Sequence, residues 1–328
     1  MKRFWILLAG VLLLLAACAA EPEAPAPEFV LTYADNQPEN YPTTLGAERF
    51  ASLVEERTGG RVVIDLKVNG VYGTEQEVYE QMQFGGIDFA RLSIAAIADE
   101  YPKLNVLQVP FLYEDADHMW RVLDGQIGAD FLEEFSELNL VGLSWYDGGA
   151  RCFYSNERPI RTPEDMQGLN VRVQDSGIVL DMISLLGAEP MNFSYSDVYY
   201  AFETGKIDVA ENNWPAYHIM EHYKIAKYFS VDEHSRIPEV QVASAATWEK
   251  LPEEYRQIIR QCAAESALYE RELWIEQEAA SRAAVLEQGC VEVRLTEEAL
   301  DRFRQIVQPL YERYCAEHMD LVEAIRGG

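Results

Sequence analysis

Residues 197–211 read DVYYAFETGKIDVAE, and residues 77–91 read EVYEQMQFGGIDFAR. Laid over one another at an offset of 120 positions (197 against 77), both open acidic-Val-Tyr and close Gly-x-Ile-Asp-(Phe/Val)-Ala. Val78 and Met82 in one copy, and Val198 and Phe202 in the other, lie four apart, on one face of a helix. The glycine that follows is a helix-stop signal, and the run after it predicts a buried strand. Repeats at short periods mean solenoids, but a repeat spaced by a whole domain predicts two similar α/β lobes. Arg91 ends one strand and Glu211-Asn212-Asn213 the other, before Trp214-Pro215 opens a helix.

Working outward, FVLTYA (29–34), RVVIDLKV (61–68) and DFARL (88–92) predict strands separated by helices over 43–57 and 74–84. In the second half NVRVQ (170–174), AEPMN (188–192) and IDVA (207–210) predict strands, with helices over 177–187 and 195–204. Strands alternating with helices predict parallel sheets with helices on both faces. From Glu253 to about Glu287 there is no Gly or Pro, which predicts one very long helix able to brace both lobes. A strand at 289–295 and a helix beginning behind Thr296 follow.

In open α/β sheets ligands bind beyond the carboxyl ends of strands. The residues there are Asp35, Asn36 and Gln37, then Arg91 and Ser93, then Asp175 and Ser176, then Glu211, Asn212 and Asn213. Arg172 lies inside the strand NVRV, out of phase with Val171 and Val173, and Arg151 follows Asp147-Gly148-Gly149 at the passage between the halves. An arginine inside such a strand is costly unless it meets a carboxylate, and its planar fork suits a bidentate one. The alternative is that both arginines pair with the chain's own Asp and Glu.

The N-terminus is a secretory signal: Lys2 and Arg3, an apolar run from Phe4 to Leu15, then small residues before Cys18. Leu15-Ala16-Ala17-Cys18 resembles a bacterial lipobox, which implies a signal peptide over 1–17 and a lipid on Cys18. Residues 18–28 form a Pro-rich tether that sets the folded part apart from a membrane anchor. Removing Lys2 and Arg3 from 27 basic residues leaves 25 against 55 acidic ones. That balance speaks against nucleic acid and against a basic membrane-surface patch, so any anion site must be built locally from a few arginines. Cys152, Cys262, Cys290 and Cys315 remain, outside the reducing cytosol. Cys290 and Cys315 are the favoured pair because both lie in the C-terminal segment, with free buried thiols as the alternative.

Signs of catalysis are sparse. His218-Ile-Met-Glu221-His222 matches the H-x-x-E-H zinc-peptidase pattern, but it follows Trp214-Pro215 in a short surface helix and has no evident third ligand. A zinc-dependent hydrolase is the remote alternative. There is no G-x-S-x-G elbow, no Walker A loop and no G-x-G-x-x-G, so neither an enzyme nor a cofactor is expected.

The chain from Phe29 onward resembles the DctP-type substrate-binding proteins of TRAP transporters (tripartite ATP-independent periplasmic transporters). The resemblance is carried by NGVYG (69–73), GGIDFA (85–90), VPFLYEDADHMW (109–120), SNERPIRTPEDMQGLNVRV (155–173), FSYSDVYYAFETGKIDVAENNWP (193–215) and the helix after LPEEY. It implies a two-lobed, periplasmic-binding-protein-like (type II) α/β fold with crossing strands and a long bracing helix. The lobes would be 29–149 plus about 238–277, and 150–237 plus about 278–305, with a C-terminal helix over 306–328. It further implies an extracytoplasmic, lipid-anchored monomer that closes on its ligand and delivers it to a membrane permease. A sensor feeding a receptor would bind its ligand in the same way.

The family's carboxylate clamp falls on Arg172, a second ligand arginine on Arg151, its asparagine on Asn212, its aromatic on Tyr195, and a residue past the clamp on Asp175. Val209 stands where the family commonly has Gly, and Asn213-Trp214-Pro215 where others pass straight from Asn to Pro. ADNQPENYPT (34–43), FARLS (89–93), WYDGGARCFYSN (145–156) and AENNWPAY (210–217) resemble members that take hexuronates such as glucuronate and galacturonate. That implies Arg172 on the carboxylate, and Arg151, Arg91, Asn36, Asn212, Asn213 and Glu211 on sugar hydroxyls. Glu211 would repel a dianion and so argues against C4-dicarboxylates unless it pairs with Arg91; a C4-dicarboxylate or other organic acid is the alternative.

Overall fold

The computed structural model describes residues 26–327, so the signal segment and Cys18 lie outside the described residues. Its strands make two sheets. One joins β1 (Phe29–Ala34), β2 (Val62–Lys67), β3 (Phe89–Ser93), β4 (Leu140–Tyr146) and β10 (Glu239–Ser244) in the order β2-β1-β3-β10-β4. The other joins β5 (Ala150–Ser155), β6 (Asn170–Val173), β7 (Glu189–Asn192), β8 (Val209–Asn212), β9 (Tyr228–Arg236) and β11 (Val291–Arg294) in the order β11-β9-β5-β8-β6-β7.

The repeated sequence has a structural reason. Helices Glu75–Met82 and Val198–Glu203 precede Gly85 and Gly205, whose φ angles of 75° and 66° are left-handed. Such angles strain residues with a Cβ. Ile87 and Ile207 are then fully buried. Asp88 accepts from the backbone N–H of Thr32 in β1 at 2.8 Å, and Asp208 from that of Asn170 in β6 at 2.9 Å. Each aspartate ties the start of its own strand to the neighbouring strand, which fixes the register twice by the same device.

The expectation of parallel sheets needs correction. β1, β2 and β3 run parallel, as do β6, β7 and β8. However, β10 is antiparallel to β3 and β4, and β5 is antiparallel to β8 and β9. The cause is the crossing. The chain passes from β4 to β5 through Asp147-Gly148-Gly149, and from β9 to β10 through Ile237-Pro238. These connections are too short to turn round a sheet, so an arriving strand enters from the end where its parallel neighbours finish. Gly149 has a φ of 63°, and a Cβ there would lie 2.8 Å from the Trp274 ring, so the first crossing requires glycine.

The long helix is Glu253–Glu287, 35 residues, or about 52 Å at 1.5 Å per residue. Tyr255, Ile259 and Cys262 pack with Tyr33 and Phe50 over the first sheet. Trp274 meets Tyr41 and Ala216 midway, and Val285 packs with Tyr217 and Phe229 over the second. One helix thus spans both cores. Thr296 caps the next helix, Glu297–Val307, by accepting from Ala299 N–H at 3.2 Å. Pro309–Cys315 and Met319–Arg326 follow as separate helices.

The four cysteines among the described residues are free and buried, which corrects the favoured Cys290–Cys315 pairing. Cys290 sits in the cluster over the second sheet, and Cys315 in the largest cluster with Phe303 and Leu310. Sequence proximity does not bring them together. Unreduced protein lacking the signal segment and Cys18 should therefore react at four thiols once denatured and at essentially none when native. Mass spectrometry after alkylation would show it; two missing thiols would contradict this arrangement.

Candidate functional site

A cleft of about 870 Å3 opens where the carboxyl ends of β1, β3, β6 and β8 face one another. Asn36, Gln37, Glu75, Arg91 and Glu239 line it from the first sheet's side, and Arg151, Arg172, Gln174, Tyr195 and Asn212 from the second's. Trp274 reaches it from the long helix, and Asp175 lies at its exposed rim. The volume falls in the range of small-molecule sites.

The three arginines, all buried, divide by partner. Arg91 donates to Asp35 at 2.7 Å and to Glu239 at 2.6 Å, and also to Glu75 and to the Asn36 side chain. Burial works against its charge, but Asp35, Glu75 and Glu239 outweigh burial and hold its pKa well above the arginine range. Arg151 grips Glu211: Nη2 donates to Oε1 at 2.8 Å and to the backbone carbonyl at 3.0 Å, while Nε donates to Oε2. Arg172 is different. Its Nε donates to the Phe193 carbonyl at 3.0 Å, and no carboxylate pairs with it among the described residues. Burial pushes its pKa below the arginine range, against the pull of Glu211 and Tyr154. Its guanidinium remains charged in any protein, so it is a desolvated cation with spare donors beside a cleft.

Behind Arg151 lies a polar chain that the sequence reading missed. Glu211 is 1 % exposed and does not line the cleft. It is not free for sugar hydroxyls, nor does it pair with Arg91. Its second neighbour is His234, whose Nε2 stands 3.6 Å from Oε2, an ionic contact rather than a hydrogen bond. His234 Nδ1 is 2.7 Å from Asp232, and its ring stacks on Phe153. Burial opposes ionisation of both groups. Even so, Arg151 and then His234 hold Glu211 down at about 2, and Asp232 and Glu211 raise His234 to about 9.

The other expected residues have mixed roles. Asn212 lines the cleft while its Oδ1 accepts from Arg151 and from Asn213 N–H. Asn213 also lines the cleft, but its polar atoms are engaged: Oδ1 caps helix Trp214–Ile219, and Nδ2 donates to Gly148 O at 2.9 Å and to the Tyr41 hydroxyl at 3.0 Å. Tyr195 faces the cleft with a buried hydroxyl that has no partner among the described residues, as does Trp274 Nε1. Glu75, Glu239 and Trp274 are cleft residues that the sequence reading did not single out. Asp-Gly-Gly at the first crossing, and the acidic start of the helix after Thr74, were the signals pointing near them.

A family described as DctP, bacterial extracellular solute-binding protein, family 7, matches residues 33–318. The chain belongs to the DctP family of TRAP solute-binding proteins. A solute-binding protein of Chromohalobacter salexigens is 38 % identical over 285 residues, covering 87 % of this chain and 84 % of that one. A TRAP periplasmic solute-binding protein from Bradyrhizobium, solved in complex with α/β-D-galacturonate, superposes with a TM-score of 0.87 at 35 % identity. The match covers 91 % of this chain and 99 % of that chain. One from C. salexigens with bound D-glucuronate has a TM-score of 0.87 at 36 % identity, covering 90 % and 99 %. Both show the two-lobed type II fold.

In this DctP protein the two histidines of H-x-x-E-H do not share a helical face. The helix ends at Ile219, Glu221 is left-handed at a φ of 59°, and His222 lies in the following turn. His222 Nδ1 meets the Tyr154 hydroxyl at 2.8 Å, and His218 Nδ1 meets Ser281 Oγ at 3.1 Å. Burial, with Arg172 adding, lowers His222 to about 3. Among the described residues no group of three or more His, Cys, Asp or Glu is placed to hold a metal.

The His234 contacts predict a pH dependence. An unfolded histidine near 6.5 and a folded one at about 9 mean that the folded state holds the extra proton. Its stabilisation is complete below about pH 6.5 and is lost as pH rises through about 9. Unfolding free energy should fall by roughly 3 kcal/mol across that window. Glu239 and Glu278, raised to about 7 chiefly by burial, add loss only below and around pH 7. Denaturant melts from pH 6 to 10 should show the fall. Burial also raises Glu270 and the thiols of Cys152, Cys262 and Cys315, which add losses of their own. His234→Asn should therefore remove roughly 3 kcal/mol of the fall rather than all of it. A profile unchanged by the substitution would contradict the assignment.

Proposed function

We propose that this protein captures a hexuronate such as glucuronate or galacturonate, closes its lobes on it, and hands it to the membrane subunits of a TRAP transporter. Arg172 carries the reading. It is the one cleft arginine with no carboxylate partner among the described residues, and its spare Nη donors suit a bidentate carboxylate. Arg151, already oriented by Glu211, Asn212 and Tyr195 are the groups for ring hydroxyls, with Asn36 and Arg91 across the cleft and Asp175 at its mouth. Asn213 lines the cleft with its polar atoms held by the helix cap, Gly148 and Tyr41. The uronates bound by the two structurally similar proteins support the substrate class.

We further infer a lipid on Cys18 after removal of residues 1–17, with residues 18–28 as tether to a membrane surface and the mature protein a monomer. The sequence from Lys2 to Cys18 supports this reading. The cleft needs no cofactor for capture and release.

Two charge-assisted hydrogen bonds to a desolvated carboxylate are worth about 1.5–3 kcal/mol each. Arg172→Ala should therefore weaken glucuronate binding by at least about 100-fold. The melting temperature of the ligand-free protein should not fall, because the substitution removes a buried charge that has no ion-pair partner. Calorimetric titration with glucuronate, galacturonate, succinate and malate, together with thermal melts, tests both statements. Near-wild-type uronate affinity in the variant, or tighter binding of succinate than of either uronate by the wild type, would overturn the reading.

A further inference from the structure

The two walls of the cleft differ in charge. On the second-lobe wall Arg151 and His234 are matched by Glu211 and Asp232, and Arg172 is left without an ion-pair partner among the described residues, the exposed Asp175 lying out at the rim. On the first-lobe wall a single Arg91 stands among Asp35, Glu75 and Glu239. Asp35 is fully covered, but the side chains of Glu75 and Glu239 are 11 % and 12 % exposed and line the cleft. Arg91 engages Oε1 of Glu75, which also accepts from Ser93 N–H at 3.1 Å, and Oε2 of Glu239. The other oxygen of each carboxylate has no hydrogen-bond partner among the described residues. Burial, with Glu75 adding against the pull of Arg91, raises Glu239 to about 7, as expected of acids crowded beyond what one arginine balances. Beside this wall Trp274 is 1 % exposed, with an unpartnered indole N–H, so the cleft surface here combines acceptors with a donor.

We propose that Glu75 and Glu239 set the specificity of the cleft: they accept hydrogen bonds from the hydroxyl end of a sugar monoacid and repel a second carboxylate placed there. The inference rests on the uronate reading of the same cleft and adds to it the class of ligand that is refused. Carboxylate oxygens are acceptors only, so they suit hydroxyl groups and have nothing to offer another carboxylate. A ligand with its acid on Arg172 and hydroxyls toward Glu75 and Glu239 meets complementary charge at both ends. An aldarate, which carries an acid at both ends of the same carbon chain, leaves one carboxylate facing two glutamates. Selectivity then comes as much from repulsion as from attraction.

The test is calorimetric titration with glucuronate and with glucarate, at pH 8 and constant ionic strength, of wild type, Glu75→Gln, Glu239→Gln and Glu75→Asp. Wild type should bind glucuronate at least 100-fold more tightly than glucarate. Each Gln variant should lose about tenfold for glucuronate, and its glucuronate-to-glucarate preference should shrink tenfold or more. The open-chain shape of glucarate is the same for every variant, so a change in the ratio isolates charge. Glu75→Asp keeps the charge while withdrawing the oxygens, and should weaken glucuronate with the preference kept. An unchanged preference in both Gln variants, or equal binding of the two acids by wild type, overturns the inference and leaves the uronate reading standing. No binding of glucuronate by wild type overturns that reading and the inference with it.

Discussion

Burying a guanidinium without a carboxylate beside it is costly, and the cleft is organised around one such group. Arg91 and Arg151 show the usual remedy: each is enclosed by acids from its own lobe. Arg172 is held by strand β6 and by a single backbone carbonyl, which fixes its orientation without neutralising it. In a chain with 55 acidic residues, pairing it internally would be easy. Keeping it unpaired concentrates positive potential at one point of an otherwise acidic molecule. The pairing of Arg151 with Glu211 serves the same end, since it stops Glu211 from becoming the counter-ion of Arg172.

That arrangement depends on the crossings. Short connections at 147–149 and 237–238 force β5 and β10 to enter their sheets from the cleft, antiparallel to their neighbours. Arg151 therefore comes to the cleft at the start of a strand rather than at its end, and Glu239 does the same on the other wall. The long helix closes the third side. Its buried residues belong in turn to the first core, to the Tyr41–Trp274 contact at the crossing, and to the second core. Besides the long helix, the chain passes between the two sheets only at the short segments containing Gly149 and Pro238 among the described residues, with Asn213 tying helix Trp214–Ile219 to Gly148 and Tyr41.

The parts of the fold that local pattern determines were legible in the sequence. The Gly-x-Ile-Asp repeat marked β3 and β8, and a run free of Gly and Pro marked the long helix. Strands β4, β5, β9 and β10, which flank the crossings, were not picked out; in β9 Asp232, His234 and Ser235 are buried polar residues that interrupt the apolar alternation of a strand. Their partners are remote in sequence, so nothing local announces that they are satisfied. The site divides in the same way. Arg172 stood out because a charge inside a strand has few explanations, whereas the alternative that such arginines pair internally applies to Arg151. Glu211 and Asn213 were read as ligand groups from their place after β8, but geometry assigns one to Arg151 and the other to a helix cap. Glu75 and Glu239 were hidden by abundance: among so many acids, an acidic helix start does not single out Glu75, and nothing local places Glu239 beside Arg91.

The central claim is that Arg172 recognises a carboxylate and not merely a sugar. The most direct measurement compares glucuronate with glucuronamide, its uncharged amide, in wild type and in Arg172→Ala by titration calorimetry. If Arg172 is the clamp, wild type prefers the acid by about 100-fold or more, and the variant binds acid and amide with nearly equal, weak affinity. A preference for the acid that survives in the variant would place the carboxylate elsewhere in the cleft and contradict the account.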